Sequence, residues 1–125
     1  MSYQHIEVTP IAGACGAEIS GVDLSEDLDE QRIGEVKRAF HENLVIFFRD
    51  QDITLDQHKD FGRKFGDLHV HPSAPGPEGH PDVLTIHADE NAKQIAGERW
   101  HSDVSCDPEP PMGSILRLHT IPPEG

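Results

Sequence analysis

Near the C-terminal end of the chain, Arg99-Trp100-His101-Ser102-Asp103-Val104 sets an imidazole and a carboxylate two residues apart, with an aromatic before them and a β-branched residue after. On a strand, residues i and i+2 project from one face, so the pattern predicts two side chains roughly 6–7 Å apart along the backbone that converge on one spot. Such a pair can share a cation. One histidine plus one carboxylate is also two-thirds of the two-histidine, one-carboxylate facial site that leaves positions open on iron. The third ligand has to come from elsewhere in the chain.

A second pair at the same spacing, His69-Val70-His71, could hold a metal or lend one imidazole N–H to a carboxylate or sulfonate. A cupin-like site on His69 and His71 wants a glutamate a few residues later, and Glu78 comes late, across three prolines. Cys106 lies close to His101, but no orienting third group for a Cys/His nucleophile can be read. No GxSxG, phosphate-loop or GxGxxG pattern occurs.

The elements that must position these residues are read from periodicity. His5–Thr9 alternates and predicts a short strand stopped by Pro10, and Ala17-Glu18-Ile19 predicts a second. Asp29 is a plausible N-cap for a helix running to about Glu42, with Ile33, Val36 and Phe40 on one stripe. The unbroken apolar run Leu44–Phe48 predicts a strand buried on both faces. Thr54-Leu55-Asp56-Gln57 has the form of a capping box and opens a helix with Leu55, His58, Phe61 and Phe65 on one side, ending near Gly66. Four prolines and two glycines between His69 and Pro81 predict a loop, and the polar stretch Ala88–Glu98 a second. Val83–His87, the His101 segment and Gly113–Thr120 are expected to be strands. The pattern predicts a mixed α/β, β-rich fold with two helices in the first half, and no internal repeat or domain boundary.

Composition narrows the partners. The chain has 125 residues, enough for one domain with a core, and nine histidines, which raise the expectation of a metal site. A balance of 23 acidic against 10 basic residues gives a net charge of −13, which argues against nucleic acid and against anionic membrane surfaces. No apolar run approaches the roughly 18 residues of a membrane span. The N-terminus lacks the regions of a signal peptide. Cys15 and Cys106, far apart and outside any CxxC pair, read as free thiols in a reducing cytoplasm.

Four blocks in order carry a resemblance: Ile19-Ser20-Gly21-Val22-Asp23-Leu24, Leu44–Gln51, Phe65-Gly66-Asp67-Leu68-His69-Val70-His71-Pro72, and Trp100-His101-Ser102-Asp103-Val104. Together they resemble the taurine dioxygenase (TauD/TfdA) family of Fe(II)/2-oxoglutarate-dependent oxygenases, from about residue 5 to the last. The resemblance implies a double-stranded β-helix, or jelly roll, represented by its N-terminal elements, two flanking helices and first core strands. It implies His101 and Asp103 as two of three iron ligands, His71 as the contact to an anionic group of a small organic substrate, and 2-oxoglutarate and O₂ as co-substrates. Ala74 stands where taurine-specific members carry a tyrosine, and Gly97 or Glu98 where they carry an asparagine. Both departures count against taurine itself and leave a related sulfonate, sulfate ester or carboxylate open. The loops around His71 and over residues 88–98 are lid candidates.

The family's distal histidine, its 2-oxoglutarate-binding arginine and a co-substrate-binding threonine would lie downstream of Gly125, since His119 and Arg117 fall too early to match. Residues 1–125 are therefore expected to be the N-terminal portion of a single dioxygenase domain. Alone, the chain is expected to bind Fe(II) weakly, to lack turnover and to associate, for example as a homo-oligomer, through unpaired strand edges. Two other classes stay open: a truncated, non-catalytic binding or interaction module, and a cupin-like metal-binding protein using His69 and His71.

Overall fold

The fold begins with a three-stranded sheet of order β1-β2-β3. A computed structural model describes every residue except Met1, Ser73, Pro75, Ile95, Ala96, Pro122, Glu124 and Gly125, so parts of both predicted loops and of the closing segment lie outside the described residues. The chain divides into two units, Met1–Leu68 and His69–Gly125.

In the first unit, β1 (Glu7–Pro10) pairs antiparallel with β2 (Ala17–Ser20), in a register that sets Val8 opposite Ile19 and Pro10 opposite Ala17. Strand β2 pairs parallel with β3 (Ile46–Phe48), with Ala17 opposite Ile46. Parallel neighbours need a crossover, and helix α1 (Glu30–Asn43) supplies it. Asp29 caps α1 as expected, accepting the Arg32 N–H at 2.8 Å on one oxygen while the Arg32 guanidinium holds the other at 2.9 Å. The apolar stripe of α1 faces inward, with Ile33, Val36 and Ala39 buried and Val36 wholly enclosed. Helix α2 (Leu55–Arg63) opens on the predicted capping box: Thr54 Oγ1 accepts the Gln57 N–H at 3.2 Å and Gln57 Oε1 accepts the Thr54 N–H at 2.8 Å.

The core joins Ile6, Ile19, Leu24, Leu28, Ile53 and Phe61 to the α1 stripe. A row of rings, Phe40–Phe65–Phe61–Phe48, crosses from α1 through α2 to β3 in edge-to-face contacts with centroids 5.4–6.0 Å apart. Two polar devices fix the chain around this core. Gln51 accepts the Leu24 N–H at 2.8 Å and donates to the Val22 carbonyl at 3.3 Å, which ties the segment after β2 to the segment after β3. Glu35, on α1, accepts the backbone N–H groups of Gln4, His5 and Ile6 at 2.8, 2.8 and 3.2 Å and so anchors the N-terminal segment.

The strand predicted at Leu44–Phe48 is shorter and less buried than its composition suggests. Leu44 adopts a left-handed φ of 67° and gives its N–H to the Phe40 carbonyl, so it ends α1 instead of starting a strand. Strand β3 has a ladder on one side among the described residues, and Leu44, Val45 and Phe47 are exposed.

The second unit departs further from expectation. Its described residues contain turns and bends but no strand, so the strands predicted at 83–87, around His101 and at 113–120 are not formed, and helix outweighs strand along the chain. A strand is held by its ladder partners, and here Leu84, Ile86, Trp100, Ile115, Leu116 and Leu118 stay exposed and join no ladder among the described residues. Every described buried apolar residue belongs to the first unit. No described helix is long and apolar enough to cross a membrane, and Cys15 and Cys106 are exposed free thiols.

Candidate metal centre

His101 and Asp103 lie on a turn instead of the predicted strand, and the turn brings them closer than a strand would. The chain enters through Gly97, whose φ of +84° suits glycine, and a Cβ added there would meet His101 Cε1 at 3.4 Å. The chain leaves through Val104 at a left-handed φ of 48°, closed by Asp107 N–H donating to the Val104 carbonyl at 3.1 Å. Positive φ is costly for a β-branched residue, so this turn stores strain beside the pair.

Within the turn, His101 Nε2 stands 3.0 Å from Asp103 Oδ1. Nδ1 of His101 lies 2.6 Å from the Arg99 carbonyl oxygen, and since a carbonyl only accepts, Nδ1 carries a proton. That leaves Nε2 as the nitrogen whose lone pair is available to a cation, an arrangement that a carbonyl behind the ring imposes on ligating histidines. The Arg99 carbonyl raises the His101 pKa above the ordinary 6.5; desolvation opposes the rise and the Asp103 carboxylate adds to it. A cation bound at Nε2 competes with a proton for that nitrogen. The second carboxylate oxygen of Asp103 accepts the Ser114 hydroxyl at 2.9 Å. Both side chains of the pair are about half exposed, 51% and 55%, so a ligand can reach them.

His69 is drawn into a different contact. Its Nε2 sits 3.3 Å from Asp107 Oδ2, and both side chains are largely covered. Asp107 Oδ1 also accepts the Glu109 N–H at 3.0 Å, and that bond first, then His69, holds the Asp107 carboxyl below the usual carboxylate range. His71 is half-buried and lines a concavity of about 460 Å³ with Pro72, Ala74, Gly76 and Pro81. Gly76 admits no side chain there, since a Cβ would fall 1.9 Å from the His80 carbonyl oxygen.

The donor set of the pair, one imidazole nitrogen and one carboxylate oxygen, fits iron as part of a three-ligand site. Among the described residues no third His, Cys, Asp or Glu joins it, and none completes a site around His69 and His71. Ser114 and the His69–Asp107 contact were not foreseen from sequence. They link positions 11 and 38 residues apart, beyond the reach of any local period.

The chain matches, over residues 7–125, the family described as taurine catabolism dioxygenase TauD, TfdA. It is similar to an alpha-ketoglutarate-dependent sulfate ester dioxygenase of Pseudomonas putida, 36% identical over 96% of this chain and 39% of that enzyme. It is also similar to an alkylsulfatase of Acinetobacter baylyi, 32% identical over 98% of this chain and 38% of that protein. Among solved structures, a taurine dioxygenase from Burkholderia xenovorans superposes with a TM-score of 0.68 at 33% identity, covering 86% of this chain and 38% of that one. The chain therefore spans about two-fifths of the length of the relatives it matches.

Proposed function

The chain belongs to the taurine catabolism dioxygenase TauD, TfdA family, and from that premise we propose that it forms the N-terminal part of an Fe(II)- and 2-oxoglutarate-dependent dioxygenase acting on a small organic anion. The observation that carries this reading is the 3.0 Å approach of His101 Nε2 to Asp103 Oδ1, on a turn that leaves both open to a ligand. In this reading the three-stranded sheet and its two helices are the entry elements of a jelly roll. The apolar segments of the second unit become strands when they are paired.

His101 and Asp103 would hold iron with a third ligand, and iron there would supply oxidation by O₂ coupled to decarboxylation of 2-oxoglutarate to succinate, with hydroxylation of a substrate C–H bond. The chain's own residues prepare for that chemistry. The Arg99 carbonyl fixes the proton on His101 Nδ1 and so aims Nε2 at the shared site. His71, at its concavity, offers an imidazole N–H to the sulfonate, sulfate ester or carboxylate of the substrate. Ala74 on the same wall, in place of a tyrosine, leaves room for a bulkier anion than taurine, and the sulfate-ester enzyme of Pseudomonas putida points the same way.

Titration of the 125-residue chain with Mn(II), followed by electron paramagnetic resonance, tests the ligand assignment. Weak binding is expected, lost in His101→Ala and in Asp103→Ala and kept in His69→Ala. Binding that survives His101→Ala but not His69→Ala overturns it in favour of the cupin-like site. With two ligands the chain is expected to form no succinate from 2-oxoglutarate, and stoichiometric succinate detected by NMR would refute the fragment reading.

A further inference from the structure

We infer that Ser114 is a positioning residue for the metal centre: its hydroxyl occupies one oxygen of Asp103, so that the carboxylate presents only the other to a cation shared with His101. The inference rests on the ligand assignment above and extends it to a residue outside the His-x-Asp pattern.

A carboxylate has two equivalent oxygens and can grip a cation through one or both. Here the two are made inequivalent. Oδ1 faces His101 Nε2 at 3.0 Å, and Oδ2 accepts the Ser114 hydroxyl at 2.9 Å. A hydroxyl next to a carboxylate donates its proton, and this charge-assisted bond is stronger than one between neutral groups. Turning Asp103 so that both oxygens grip the cation sets the cation in competition with this hydroxyl for Oδ2 and weakens the bond. Ser114 thus favours one-oxygen ligation, and the position that a two-oxygen grip would fill on the cation stays open for co-substrate.

The residue is also placed to hold the geometry of the turn. It reaches Asp103 from 11 residues downstream, across the proline-rich segment 108–111, so the carboxylate is fixed from outside its own strained turn. The His101 ring is fixed in parallel by the Arg99 carbonyl at 2.6 Å. Each half of the pair therefore has its own outer partner, and removing such partners lowers metal affinity about 10- to 100-fold in metalloproteins.

The experiment is Mn(II) binding to the 125-residue chain by electron paramagnetic resonance, with Ser114→Thr and Ser114→Val as an isosteric pair that differs only in the hydroxyl. Threonine is expected to bind as the wild type and valine about tenfold or more weakly, with a changed zero-field splitting as the carboxylate turns. Far-UV circular dichroism checks that both variants keep the fold of the wild type. If Asp103→Ala loses binding while the valine variant binds as the threonine variant does, the role of Ser114 is overturned and the ligand assignment stands. If Asp103→Ala binds as the wild type, or the wild type does not bind, the ligand assignment itself falls and the inference with it.

Discussion

Replacing Phe61 by alanine removes the ring through which α2 grips the sheet. Phe61 is 7% exposed and makes edge-to-face contacts with Phe48 of β3 at 5.6 Å and Phe65 at 5.4 Å. Burial of the ring contributes about 2–3 kcal/mol, and each aromatic pair about 0.5–1.5 kcal/mol beyond it. The sum, about 3–6 kcal/mol, spans the range of about 3–5 kcal/mol for buried Phe→Ala changes. A 68-residue unit at ordinary stability per residue holds only about 3–10 kcal/mol. The nine-residue α2 is also too short to persist without packing. The variant is therefore expected to lose much of its helix signal at 222 nm in water and to have a urea midpoint near zero. Phe61→Leu keeps most of the buried area and loses the ring pairs, so it should cost about 1–2 kcal/mol. Phe47→Ala is the internal control: the same atoms are removed from a side chain already 42% exposed, for a cost under about 1 kcal/mol. Equal urea midpoints for Phe61→Ala and Phe47→Ala would refute the assignment of the core.

Other expectations follow from single contacts. Thr54→Ala breaks the capping box at the start of α2 and should cost about 1 kcal/mol by urea denaturation, whereas Thr54→Ser should cost little. Glu35 has its pKa pushed up by burial, but the N–H groups of His5, Gln4 and Ile6 outweigh this and hold it below the ordinary 4.5. Its contribution is therefore complete above about pH 4.5 and is lost as pH falls through the lower folded value; Glu35→Gln should flatten that acid limb in thermal melts from pH 5 to 2. Gly97→Ala forces a side chain onto a backbone at φ +84° and against the His101 ring, so it should weaken Mn(II) binding with the first unit's melting unchanged. The exposed Leu84, Ile86, Leu116 and Leu118 should drive concentration-dependent self-association in sedimentation velocity, reduced when Leu116 and Leu118 are changed to serine.

What could be read in the sequence of the first unit was what local physics dictates. The Asp29 cap, the Thr54–Gln57 box and the inward stripe of α1 are each decided within a few residues, and each stands where its pattern put it. The run at Leu44–Phe48 misled because apolar composition does not say which neighbours exist. Leu44 ends α1, and β3 gained a single ladder among the described residues. The Gln51 contacts add a different lesson. Two of the blocks that carry the resemblance, around Val22 and around Gln51, are physically joined by that side chain, a contact that composition does not reveal.

In the second unit the residue types were readable and their setting was not. His101 and Asp103 meet as their spacing suggested, but through a turn closed at Val104 and not along a strand. Strand formation is a property of pairs, and residues 83–87 and 113–120 carry strand-forming side chains but join no strand ladder among the described residues. The local turn can still bring together the two proposed ligands, because its contacts run from Arg99 to Ser114, within 15 residues. In the proposed facial site the third ligand would come from a distant segment, held beside this turn by a completed sheet. On the proposed reading one cause serves both: long-range pairing would order the apolar segments and bring in the third ligand. Restoring the one should therefore restore the other, so that strand content and tight metal binding rise together.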